Sequence, residues 1–153
     1  MSTEKKVDPE KIQIANIRTI KGNINGTSDI DEALIGGHQF SFEMGTGINP
    51  VDNIVGLQLV VNISLQDKNG VTLDIQGSYT HEIIFIVENL AEFLTETGNE
   101  EKKGFLIDGT LGSVLVSIAY STVRGIIFTR TQGTSLGSVI LPVIDPKQLM
   151  GLQ

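Results

Sequence analysis

Hydrophobic and polar positions alternate with a period of two through much of the first half of the chain, and that alternation predicts strands. Between Val55 and Leu65 the odd positions Val55, Leu57, Leu59, Val61, Ile63 and Leu65 are all apolar, while most even positions are polar. The same odd-numbered face continues through Val71, Leu73, Ile75, Gly77 and Tyr79, with Thr72, Asp74, Gln76 and Ser78 turned the other way. Asp67-Lys68-Asn69-Gly70 reads as the hairpin turn between them, because Asn and Gly tolerate the positive φ such turns require. Upstream, Phe40, Phe42 and Met44 alternate in another strand, which Gly45 to Pro50 ends. From Lys11 to Lys21, Ile12 and Ile14 share a face and Ile17 and Thr19 return to it, a phase slip that predicts a bulge near Ala15 and Asn16. Gly22, Asn25, Gly26, Asp29, Asp31 and Glu32 make a turn-rich connection between these two strands.

At Val87 the period lengthens. Val87, Leu90, Ala91 and Leu94 fall at the spacing of a short helix, and Thr97 to Gly104 reads as an exposed loop. Leu111, Val114, Leu115, Ile118, Ala119, Thr122 and Val123 trace a longer helical stripe, with Asp108 placed to cap it. Gly125 and the β-branched Ile126, Ile127 and Thr129 leave local propensity divided between an end at Arg124 and one at Gly133. Val139 to Ile144 is apolar and extended, and Asp145-Pro146 is the cap and first-turn pair of a last short helix. Strands first and helices afterwards predict an α+β fold: a four-stranded antiparallel sheet followed by a short helix, one long helix and a short C-terminal helix. A length of 153 residues suits one domain, expected over residues 11–153 behind a charged, disordered tail at residues 1–10.

Composition then removes several classes of function. Without Cys there are no disulfides, thiol nucleophiles or Cys-based zinc sites, a usage that suits a reducing compartment. Met1 to Glu10 is polar and lacks the apolar segment of an export signal, and no continuous apolar run approaches a membrane span, so a cytoplasmic protein without membrane insertion is expected. A net charge of −7, with no Lys/Arg cluster interleaved with aromatics, repels phosphate backbones and argues against a nucleic-acid partner.

Candidate chemistry is sparse. Gly133-Thr134-Ser135-Leu136-Gly137 matches the G-x-S-x-G nucleophile elbow, yet that motif needs a strand before it and a His after it, and both His38 and His81 precede Ser135. Those two histidines lie in different segments without a metal-ligand spacing. Asp29, Asp31 and Glu32 lack the Gly and the closing Glu of a calcium loop, and Gly45-Thr46-Gly47 runs into Ile48-Asn49-Pro50 instead of a helix N-terminus. Asp74 and Glu82 read as exposed sheet carboxylates. No nucleophile, base and orienting group assemble, so neither catalysis nor any metal or cofactor is expected.

Taken in order, Ile12-Gln13-Ile14-Ala15-Asn16-Ile17, the four strands ahead of the helices, Ala119-Tyr120-Ser121-Thr122-Val123-Arg124-Gly125 and Leu141-Pro142-Val143-Ile144-Asp145 resemble the SecB family of export chaperones across roughly Lys11 to Leu149. The resemblance implies a holdase that grips unfolded polypeptides in surface grooves, for export or for a single partner such as an antitoxin. It implies that the long helix runs to about Gln132 and that sheets pair into dimers, which join through their helices into tetramers. The oligomer interface would then use Ile12, Ile14, Ile118, Thr122, Val123 and Ile126, and the peptide groove Leu34, Ile35, Phe40, Ile144, Leu149 and Met150. The sequence departs from the family in having no aromatic after Phe128 and only seven residues for the last helix, which leaves a SecA-type motor an open question as partner. A non-catalytic structural or adaptor protein on the same fold is the alternative expectation.

Overall fold

The computed structural model describes residues 5–26 and 31–151. Four long strands, β1 (Ile12–Gly26), β2 (Ile35–Asn49), β3 (Ile54–Asp67) and β4 (Thr72–Val87), form an antiparallel sheet in the order β1-β4-β3-β2. A small hairpin, β5 (Leu94–Gly98) and β6 (Lys103–Ile107), leads into α1 (Gly109–Thr131), and α2 (Pro146–Leu149) follows an extended segment. The predicted α+β class therefore holds.

The core is the odd-numbered face that the alternation marks out. Val55, Leu57, Leu59, Val61, Ile63 and Leu65 on β3 are buried, as are Ile75, Tyr79, Ile83, Phe85 and Val87 on β4. Leu111, Leu115, Ala119, Val123 and Ile127 of α1 are buried in the same cluster. Gly70, at φ 81, closes the β3–β4 hairpin, and the Asp67 carboxylate accepts from the Asn69 and Val71 amides. In β1 the register slips between Ile14 and Asn16, so Ile14 faces Phe85 while Ile17 faces Ile83. The extra residue, Ala15, is what lets two isoleucines three apart share the core side. A second slip, between Thr19 and Lys21, absorbs Ile20.

Several elements differ from the sequence expectation. Gly45 to Pro50 does not end the second strand, because β2 keeps pairing with β3 as far as Asn49 opposite Ile54. The spacing of Val87, Leu90, Ala91 and Leu94 is not a helix: β4 runs on to Val87, a 3-10 turn covers Leu90–Phe93, and Leu94 begins β5. The three-residue repeat of that turn points Leu90 and Phe93 inward and leaves Ala91 exposed. Thr97 to Gly104 is likewise not a plain loop, because Thr97-Gly98 and Lys103-Gly104 belong to the β5–β6 ladder. Of the turn-rich connection after the first strand, Gly22, Asn25 and Gly26 lie within β1, and Asp29 falls outside the described residues.

The long helix ends at Thr131 with Gln132 as its cap, the far end of the range that local propensity left open. Burial of Ile127 and Thr131 outweighs the weak helix preference of the β-branched residues around them. Thr131 also ties the next segment down: its hydroxyl donates to the Ile127 carbonyl at 2.8 Å and accepts from the Val139 amide at 3.0 Å. Length and composition alone would let α1 cross a membrane, with a mean hydropathy of 1.6, although Ser113, Ser117, Ser121, Thr122 and Arg124 interrupt its apolar positions. In the fold it is the core helix, with one face on the sheet.

At the start of the described chain, Val7 packs against the core and Lys5 Nζ donates to the Glu92 carbonyl at 2.6 Å. Asp8 caps a 3-10 turn at Pro9–Lys11 by accepting from the Glu10 amide.

Candidate functional site

Strand β2 lies at the margin of the sheet, and among the described residues no strand pairs with its other edge. Its inward side chains form two sections. The first carries a row of rings, with centroids 6.2 Å apart from His38 to Phe40, 6.1 Å from Phe40 to Phe42, and 5.9 Å from Phe42 to Tyr120 of α1. This section is covered by the extended segment after α1, whose Leu136, Val139 and Leu141 are buried. His38 Nε2 donates to the Leu136 carbonyl at 2.7 Å, and the Tyr120 hydroxyl donates to the Pro142 carbonyl. Burial pushes the Tyr120 hydroxyl above its ordinary pKa, against a smaller downward pull from the Arg124 guanidinium, so it stays a donor.

The second section is left uncovered. Met44, Thr46 and Ile48 of β2, Phe105, Leu106 and Ile107 of β6, Leu115 and Val116 of α1, and Met150 beyond α2 line a groove of about 260 Å³. None of these residues carries a charge. The Asp108 carboxylate caps α1 by accepting from the Thr110 amide at 3.0 Å, which fixes the helix end that forms one wall. Gly112 matters here by close approach, since a Cβ at that position would come within 2.5 Å of Met150 Cε. An apolar trough walled by a marginal strand can offer two kinds of contact: burial for side chains and pairing groups for a backbone.

Of the residues expected to line a groove, the structure brings only Met150 to this one. Ile144 and Leu149 lie in a separate shallow depression with Tyr120 and Arg124. Phe40 sits in the ring row, Ile35 opens β2 opposite Asp67, and Leu34 is 57% exposed before that strand. Among the residues expected at an oligomer interface, Ile14 is 42% exposed on β1, whereas Val123 is wholly buried in the protomer's own core. Ile12, Ile118, Thr122 and Ile126 are partly exposed, and the Thr122 hydroxyl donates to the Ile118 carbonyl at 2.8 Å. Phe105 and Leu106 were not singled out by the sequence pattern; the signal that could have found them is the short apolar run Phe105-Leu106-Ile107 directly after a polar turn.

The Gly133-Thr134-Ser135-Leu136-Gly137 motif lies in turns that follow a helix and precede extended chain, the reverse of an elbow's setting. Among the described residues no group of three or more His, Asp or Glu side chains could hold a metal ion.

No family model matches the sequence, and no curated protein matches it. Among solved structures, a SecB-like chaperone of Mycobacterium tuberculosis, solved in complex with a peptide from an antitoxin, matches with a TM-score of 0.61 at 13% identity. The match covers 88% of this chain and 91% of that one. The chain has the SecB-like fold. At that identity the likeness is one of fold. A protein of unknown function from Streptococcus agalactiae also matches, at a TM-score of 0.42 and 7% identity over 86% of this chain and 97% of that one.

Proposed function

We propose that this chain is a holdase of the SecB-like kind, seating extended apolar stretches of unfolded polypeptide in the groove between β2, β6 and α1. The observation that carries the reading is the uncharged trough walled in part by β2, the strand at the margin of the sheet. One aliphatic side chain fully buried there is worth about 1.5–3 kcal/mol, so useful affinity has to come from several contacts along an extended client. The open edge suits that need, because backbone pairing is indifferent to client sequence. From Met150 the client would pass toward Leu149 and Ile144 on one side and along β2 toward Ile35 and Leu34 on the other, reaching Phe40 only where the covering segment after α1 gives way. No bond is made or broken in this activity, and neither cofactor nor nucleic acid takes part.

That the SecB-like neighbour was solved with an antitoxin peptide favours a narrower version, a dedicated chaperone of one such partner. The reading also places the protein in the cytoplasm, in protein transport or partner protection. It further includes self-association into dimers or tetramers through Ile12 and Ile14 of β1 and through Ile118, Thr122 and Ile126 of α1. An adaptor built on the same fold would instead bind one folded partner and ignore unfolded chains.

The test is suppression of aggregation of a chemically denatured client by stoichiometric excess of the protein. Thr46→Asp with Leu106→Asp places charge at exposed positions on both walls of the groove, and we expect that pair to weaken suppression about tenfold. Wild-type protein that leaves aggregation unchanged sinks the holdase reading. Undiminished suppression by the double variant sinks this location for it.

A further inference from the structure

The core of the sheet contains one residue that the proposed activity does not use. His81 on β4 is 0% exposed, and among the described residues neither Nδ1 nor Nε2 has a hydrogen-bond partner. Its ring lies stacked on Tyr79, with centroids 6.4 Å apart and planes 9° from parallel. Cross-strand register sets Leu59 of β3 on one side of it and Thr19 of β1 on the other. From α1 the charge that reaches it is the Arg130 guanidinium, which is positive like a protonated imidazole. Arg130 Nη1 lies over β1 within 3.2 Å of where a Gly22 Cβ would stand, so it roofs the Tyr79–His81 stack from the β1 side.

The remaining nearby charges face elsewhere. Glu82 is paired with Arg18 at 2.7 Å on the opposite face of the sheet, and Lys21 pairs in register with Thr80 on that same face. Burial and then Arg130 both disfavour a charged ring, which lowers the His81 pKa below its ordinary value of 6.5. A buried imidazolium with no acceptor would have to reach water. Leu59 closes the β3 side, whereas Thr19 on the marginal strand is exposed, so the way out runs past β1 and under Arg130.

We propose that His81 is an acid-sensitive latch: its neutral ring lets β1 and the last turn of α1 close over β4, and protonation releases these two elements while β2 and β3 stay paired. The folded state takes up the proton less readily than the opened one. The latch is therefore fully engaged above about pH 6.5 and weakens as pH falls below that value, by at most about tenfold in the opening constant per pH unit. The levelling-off comes once pH passes below the lowered folded value.

Hydrogen–deuterium exchange of the full chain at pH 7 and pH 5.5, corrected for intrinsic rates, tests this against His81→Phe, which keeps an aromatic ring on Tyr79 and cannot charge. In the wild type we expect protection of residues 12–26 and 124–131 to fall several-fold at the lower pH relative to β3, and in the variant to stay level. Equal wild-type protection at both pH values overturns the proposal, and so does an equal loss in His81→Phe, which would assign the effect to another group. A measurement without any variant guards against misfolding: in wild-type spectra the His81 ring carbons should titrate below the ordinary range together with β1 amides. Titration near 6.5 with β1 unmoved refutes the latch.

Discussion

Single side chains carry much of what closes the space between β2 and α1. The Tyr120 hydroxyl on the Pro142 carbonyl is a case in point, since it joins the helix to the segment that covers the ring row. Tyr120→Phe keeps the ring and removes this hydrogen bond, and denaturant unfolding should show a loss of about 0.5–1.5 kcal/mol. Asp108→Ala removes the cap of α1 at the groove wall and is expected to cost about 1 kcal/mol by the same measurement. The exposed pair Lys103 and Glu96, 3.7 Å apart, should by contrast contribute under about 0.5 kcal/mol, so Lys103→Ala leaves the midpoint nearly unmoved. Tyr79 and Tyr120 add an alkaline limit. Burial raises both hydroxyl pKa values, so the unfolded chain ionises first and stability drops as pH rises above about 10, with tyrosinate absorbance appearing together with unfolding.

At the level of elements, legibility followed periodicity. The odd-number alternation over Val55 to Leu65 and again over Leu73 to Tyr79 has one structural solution, a half-buried hairpin, although Val71 beside the turn is 60% exposed, and the phase slip around Ala15 has one cause, an inserted residue. Around Val87 to Leu94 the pattern misleads, because the end of a strand and one 3-10 turn together imitate helical spacing. Five-residue strands such as β5 and β6 hold too few alternations to stand out, and their turn is as polar as a loop. Part of the groove was hidden for that reason, since Phe105 and Leu106 arrive on a hairpin that no pattern had announced. Met150 came from family resemblance alone, as nothing local in its sequence points to a groove. Where the long helix stops was a tertiary matter, decided by the inward turn of Ile127 and Thr131. Leu115→Ala, which empties a fully buried site between α1 and the sheet, should cost about 2–5 kcal/mol on unfolding.

For the whole molecule, the arrangement of layers matters more than any one contact. One sheet face holds the core, and the free margins of β1 and β2 stand at opposite sides of it. Ile14, Ile17 and Ile20 on β1 are 42%, 44% and 49% exposed, a greasy border that a lone protomer leaves in water. Light scattering should therefore find an oligomer, and charge introduced by Ile14→Lys with Ile17→Lys should shift it toward the protomer. The helix that could pass for a membrane span by composition is also the element made after all six strands. During synthesis, the surface that hides this stretch has already left the ribosome when the stretch itself emerges. Translation order thus shortens the interval in which targeting machinery could mistake it for an anchor.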